Sequence, residues 1–191
     1  MRHRGTKELE TERLILRRFE LTDAEAVFRN WANDGEVTKY LTWPPHDNVE
    51  VSSEVLKDWV SQYEDERFYQ WAIVLKENGS EPIGSISIVK MDDRIDMVHV
   101  GYCIGKRWWR QGITSEALAE LMRFFFAEVQ VNRIESRHDP RNPNSGKVMK
   151  KCGLLYEGTL KQGDRSNQGI CDCSMYGLVA ADYYAHRRES G

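Results

Sequence analysis

Residues 101–117 read Gly101-Tyr102-Cys103-Ile104-Gly105-Lys106-Arg107-Trp108-Trp109-Arg110-Gln111-Gly112-Ile113-Thr114-Ser115-Glu116-Ala117. An apolar strand runs into a short basic loop and then into a helix. The first turn of a helix carries unpaired N–H groups and a partial positive charge. Gly112 lets a ligand approach that backbone, and Lys106, Arg107 and Arg110 add charge beside it. Such an arrangement suits a pyrophosphate. A helix that merely begins at glycine beside solvated cations explains the local chemistry equally well. A nucleotide-hydrolase reading fails on spacing. Gly101-x-x-x-Gly105-Lys106 is one residue short of the phosphate-loop motif, and Arg107 stands where a magnesium-binding Ser or Thr belongs. No G-x-G-x-x-G follows any expected strand, which argues against a nicotinamide enzyme.

Working outward, the apolar pattern predicts strands at Arg13–Phe19, Tyr69–Lys76, Pro82–Lys90, Met97–Ile104, Asn132–Arg137, Leu154–Lys161 and Ile170–Val179. Asn78-Gly79 marks a hairpin between the second and third. Thr22 or Asp23 is expected to cap a helix bearing Ala24, Val27, Phe28 and Trp31. A second helix, Val51–Glu66, has the stripe Val55, Leu56, Trp59, Val60 and Tyr63. A third opens at Gly112 and buries Ala117, Leu118, Leu121, Met122 and Phe125. A fourth runs from Ser145 to Cys152, ended by Gly153, and a short polar helix follows the last strand. The order β-α-α-β-β-β-α-β-α-β-β gives a mixed α/β layer fold, read as one domain over 1–191.

Composition excludes several classes. The 27 Lys and Arg against 30 Asp and Glu leave a net charge of −3, which argues against a general nucleic-acid binder. No apolar run approaches the roughly 18 residues of a membrane span. Met1-Arg2-His3-Arg4-Gly5 is basic but lacks the apolar stretch of a secretory signal, so a cytoplasmic protein with reduced thiols is expected. Cys171-x-Cys173 lacks the further ligands that zinc needs, and no metal is expected.

Several segments, in order, carry a family resemblance. Trp109-Arg110-Gln111-Gly112-Ile113-Thr114 is similar to the acyl-CoA pyrophosphate loop Q/R-x-x-G-x-G/A of the GNAT acetyltransferases, with Trp109 and Thr114 replacing the usual residues. Glu12–Arg17, Val37–Pro44, Ser115–Leu118 and Asn142-Pro143-Asn144-Ser145 with Val148–Leu154 resemble the Rim-type branch. That branch comprises the N-terminal acetyltransferases of ribosomal proteins and their relatives. The matches run from about Thr11 to Leu178.

The resemblance implies a mostly antiparallel sheet of about seven strands, helices on both faces, and a cleft where two parallel strands splay. It places acetyl-CoA against the backbone of Tyr102, Cys103 and Ile104. The amides of Arg110, Gln111, Gly112, Ile113 and Thr114 would hold the pyrophosphate, and Asn142 would touch the pantetheine. Asn142 could equally cap the following helix. An amine would attack the thioester directly in a ternary complex. His99 is the first candidate base, because an imidazole titrates near neutrality. Glu135, Asp164 and a water relay are the rivals. The tyrosine that many GNAT enzymes use as general acid is replaced by Met149, so Ser145 is the candidate acid, unless it caps the helix. Tyr40 and Trp43, beside a proline loop, are the candidate acceptor-binding residues.

Three functions follow from these expectations. One is acetylation of a protein or peptide α-amine. An α-amine, with pKa near 8, is roughly one-tenth neutral at pH 7, whereas a lysine side chain is about a thousandfold or more from neutral. The second is acetylation of a small amine, such as a polyamine, amino acid or antibiotic, with Glu36, Asp47 and Glu50 available to attract a cation. The third is a non-catalytic acyl-CoA-binding module. A free strand edge or helix face could support a homodimer.

Overall fold

The computed structural model describes residues 1–189. The strands are β1 (Leu9–Glu10), β2 (Leu14–Arg17), β3 (Gln70–Leu75), β4 (Pro82–Asp92), β5 (Met97–Ile104), β6 (Arg133–His138), β7 (Leu155–Ser166) and β8 (Gly169–Val179). The helices are α1 (Ala24–Val27), α2 (Gly35–Thr38), α3 (Val49–Gln62), α4 (Ile113–Phe124), α5 (Pro143–Lys151) and α6 (Ala180–Glu189). Seven strands match the sequence pattern. The eighth, β1, is two residues long, too short for any periodicity to reveal. The four-residue α2 escapes for the same reason. The single helix expected after Thr22 is instead a 3-10 turn at Leu21–Asp23, the short α1, and a π turn at Phe28–Ala32.

The strands form one sheet in the order β1-β2-β3-β4-β5-β6-β8-β7. Every neighbouring pair is antiparallel except β5 and β6. Those two are parallel because α4 carries the chain back across one face between them. On that face Trp71, Ile73 and Ile86 pack against Leu118, Leu121 and Phe125. On the opposite face Ala72 and Val74 pack against Val27, Trp31 and Leu56 from α1, its π turn and α3. The β3 strand is buried throughout, as a central strand covered on both faces must be.

One local feature opens the sheet. Ile88 pairs with Val100 and Lys90 with His99, so Val89 is an extra residue in β4. A bulge of this kind sharpens the local twist. Gly101 lies beside it, where a Cβ would come within 2.8 Å of a Val89 methyl group. The parallel β5–β6 pairing ends at this level.

Near the start of α1, Arg17 donates two hydrogen bonds to Asp23, at 2.7 and 2.8 Å, and the Asp23 side chain is 8% exposed. Asp23 also accepts from the Glu20 amide at 2.8 Å. Truncation would strand a partly buried guanidinium. Asp23→Ala is expected to cost about 3 kcal/mol. Urea unfolding measures this, and a loss below about 1 kcal/mol would show that the pair behaves as an ordinary surface bridge.

Candidate active site

Parallel pairing between β5 and β6 covers Met97↔Arg133, Val98↔Ile134 and His99↔Glu135, and then stops. Ser136 Oγ donates to the Val100 carbonyl at 2.8 Å, the last bridge between the two strands. Beyond it each strand follows its outer neighbour, β5 as far as Ile104↔Gly84 and β6 as far as His138↔Ser174. The two backbones therefore part, and the inner edge of β5 from Gly101 onward has no strand beside it. An extended ligand can pair there as an added strand.

Two cavities meet at this opening. The first, of about 520 Å³, is lined by Tyr102, Cys103, Ile104, Arg110, Gly112, Ile113 and Thr114, and by the start of α5. Gly112 has φ +77° and Arg110 φ +63°. Left-handed residues leading into a helix form the concave backbone that suits an anion. No side chain caps α4. Arg110, Arg141, Lys147 and Lys151 bring positive charge to the cavity wall. Gln111, expected to offer its main-chain amide, has its side chain and its carbonyl engaged elsewhere. Its side chain donates to the Arg107 carbonyl at 3.0 Å, and its own carbonyl accepts from Arg13 at 3.1 Å. Arg13 also pairs with Glu116 at 2.6 Å, holding the loop to β2. Trp109, which replaces the family's Gln or Arg, donates its indole N–H to the Ile104 carbonyl at 2.9 Å and ties the loop to the end of β5.

The second cavity, of about 780 Å³, is lined by His99, Trp43, Trp59 and Asp164, among others. Tyr40, Tyr102, Cys103, Asn142 and Ser145 line both cavities. Tyr63, Tyr69 and Trp71 are core residues, with 5% exposure or less. Glu36 belongs to the first cavity, where Lys106 engages it. Asp47 and Glu50 line neither cavity.

His99 is 4% exposed, and its Nδ1 lies 3.2 Å from Glu135 Oε1. Glu135 is no simple surface acid. Arg133 Nε donates to its second oxygen at 3.2 Å and grips Glu157 with its two remaining nitrogens. The His99 hydrogen bond, then Arg133, hold the Glu135 carboxyl below the usual carboxylate range despite burial. Stability from that shift is present above about pH 4.5 and is lost as pH falls through the lowered value. Glu135 is thus an anion wherever an imidazole titrates. As an acceptor at Nδ1–H, it leaves Nε2 of His99 to take a proton. Asp164, the other rival carboxylate, is bound by Arg137 at 2.9 Å.

Asn142 stands at the N-cap position of α5, yet its side chain makes no cap hydrogen bond. Ser145 lies a turn further in. Its Oγ is 3.1 Å from Tyr102 Oη, and Tyr102 Oη also donates to the Ser145 carbonyl at 3.0 Å. Burial pushes the Tyr102 phenol up, so it stays protonated. Met149 is wholly buried in the core. Burial raises the thiol of Cys103, and that of Cys152 to about 11, which suits packing more than nucleophilic attack. Among the described residues no group of three or more His, Cys, Asp or Glu is placed to hold a metal.

Asn167, at the tip of the β7–β8 hairpin, gave no signal in the sequence. Its side-chain amide donates to the carbonyls of Thr38, Leu41 and Trp43 at 2.7, 3.1 and 2.9 Å. Its backbone N–H donates to Leu41 at 2.8 Å. One residue thereby pins the loop that carries Tyr40 and Trp43. Asn167→Leu removes the side-chain partners of three carbonyls. Backbone amides at 38–46 should then exchange hydrogen at least about tenfold faster, the equivalent of 1.4 kcal/mol of opening free energy, while those of α4 stay unchanged. Unchanged exchange at 38–46 would show that the loop holds itself.

Comparison with known proteins fits this geometry. Residues 13–155 match the acetyltransferase (GNAT) domain family. The uncharacterized N-acetyltransferase p20 of Bacillus licheniformis is 30% identical over 175 residues, covering 92% of this chain and 97% of that protein. The ribosomal-protein-serine acetyltransferase of Escherichia coli is 28% identical over 107 residues, covering 56% and 59%. A solved structure of RimL, a ribosomal L7/L12 α-N-protein acetyltransferase in complex with coenzyme A, superposes with a TM-score of 0.80 at 19% identity, covering 91% and 98%. The chain belongs to the GNAT family and is an acetyl-CoA-dependent N-acetyltransferase.

Proposed function

We propose that the protein acetylates the α-amine of a peptide or protein N-terminus, by direct attack on the thioester in a ternary complex. The carrying observation is the second cavity. It is open and about 780 Å³, far larger than an acetyl group or a methylamine needs, and it leads to His99 and to the unpaired edge of β5. The ribosomal-protein acetyltransferases among its relatives favour the same acceptor. A polyamine fits poorly, because the acids that would attract it lie elsewhere or are already paired.

The residues divide the work. The unpaired edge of β5, at Tyr102 and Cys103, aligns the pantetheine arm. The backbone from Arg110 to Thr114 and the nearby cations hold the pyrophosphate, with Gln111 contributing at most its main chain. Asn142, its side chain not spent on a cap, faces the arm where the two cavities join. His99 Nε2 takes the proton of the attacking amine, with Glu135 fixing the ring. As the N–C bond forms and the C–S bond breaks, the Ser145 hydroxyl, positioned by Tyr102, gives its proton to the departing sulfur and is reprotonated from solvent, while the proton taken by His99 passes to solvent. Tyr40 and Trp43 border the acceptor.

Thiol release from acetyl-CoA, read against peptides and small amines, tests the assignment. Turnover confined to small amines would refute it. His99→Ala should lower kcat/KM at pH 7 by about 10²- to 10⁴-fold and flatten the acid limb of the rate–pH profile. Thermal stabilisation by CoA should persist in that variant, since binding stabilises any fold that keeps the site. Glu135→Gln should lower kcat/KM by less than His99→Ala, because the amide oxygen still accepts from Nδ1–H and holds the ring. Unmoved kcat/KM in both variants would assign the base to a water or to another group.

A further inference from the structure

We propose that the acceptor is an acidic peptide, its amine flanked by carboxylates that Lys90 and Arg165 recognise. The inference rests on the peptide reading above and narrows it. The charges around the acceptor cavity do not balance. Its lining includes Lys90, Arg137 and Arg165 against Asp139 and Asp164. Both acids are already matched. Asp139, with a side chain 3% exposed, is held by Arg141 at 2.5 Å. Asp164 is held by Arg137 at 2.9 Å. Lys90 and Arg165 are exposed, and among the described residues neither has a carboxylate within ion-pairing distance. The cavity therefore presents to an incoming chain two positive charges that no carboxylate pairs directly, Lys90 lying only in the longer-range field of Asp92. His46, also in the lining, adds none at neutral pH, because burial lowers its pKa.

Both cations are positioned by the fold. Lys90 is the cross-strand partner of His99, so the two side chains leave the sheet on one face as neighbours. Arg165 lies two residues from Asn167, which anchors the hairpin tip to the acceptor loop. One cation thus stands beside the base and the other on the far wall, formed by β7. A positive field there steers an acidic segment in and repels a basic one. It also disfavours the ammonium form of the substrate amine, which must lose its proton before attack. Recognition and activation then draw on the same charges.

Three peptides sharing an N-terminal serine, followed by acidic, neutral or basic residues, provide the test with the intact protein, acetyl-CoA and a thiol-release readout. The acidic peptide should exceed the basic one in kcat/KM by at least about tenfold at low salt, with the gap narrowing as salt rises. The double variant K90E/R165E should reverse the order while keeping the CoA thermal shift. K90Q alone should weaken the preference without reversing it. Equal rates for the three peptides, or an order unchanged in K90E/R165E, would overturn the charge inference and leave the peptide assignment standing. Better turnover of free glutamate than of the acidic peptide would overturn the peptide as ligand. No turnover of any peptide, with the CoA shift intact, would overturn the peptide assignment itself.

Discussion

The pairing of β5 with β6 stops after His99 and Glu135, and the function depends on that stop. A sheet normally satisfies every inner backbone group, since an unpaired one is costly away from water. Here both strands stay fully paired on their outer sides, so the opening does not unravel the sheet. The bulge at Val89 and the absence of a side chain at Gly101 supply the local twist. The result is a strand edge that suits an extended pantetheine arm. Because α4 begins just after β5 ends, the same crossover that makes the pair parallel also brings a helix start to the mouth of the gap. Topology alone thus places an anion-favouring backbone at one end of a free strand edge.

Charge is sorted along the opening. On one side, four cations line the cavity proposed for the cofactor's phosphates. On the acceptor side, the acids are spent on arginines, and Lys90 and Arg165 remain in the cavity lining. Between the two sides sits the one junction where hydroxyls prevail, Tyr102 with Ser145. In the proposed reaction that junction lies where a departing sulfur gains a proton. Fixed dipoles there need no reorganisation during the reaction, which is the main advantage of a preformed site over water.

Much of this was legible in the residues. The seven longer strands followed from their apolar runs and the turns that bound them, and α4 from its one-and-three spacing against the core. Gly112 stood out as a glycine at a helix start, and the structure adds that it is left-handed, a conformation glycine takes at no steric cost. What was hidden has a common cause. Asn167 and the loop from Thr38 to Trp43 are more than 120 residues apart in sequence and meet only when β7 and β8 are folded back. The contact between Glu135 and His99 was hidden too, because the two sit on different strands 36 residues apart. The hold on Gln111 was hidden in the same way, because Arg13, nearly a hundred residues earlier, binds its carbonyl. Local periodicity reports burial. It cannot report which polar groups become neighbours.

The two ends of β5 therefore do different work. At His99 the strand is still paired, rigid and buried, so an imidazole there keeps one orientation against Glu135. Three residues on, at Tyr102, the inner edge is open and a ligand can replace the missing strand. A base must be held still, whereas a cofactor must come and go. One strand meets both needs because its pairing ends between the two positions. Moving the end of pairing toward Met97 would free His99 from its orienting carboxylate. Moving it toward Ile104 would close the edge proposed for the thioester. The register at which β5 and β6 part is accordingly the variable that ties the fold to the chemistry.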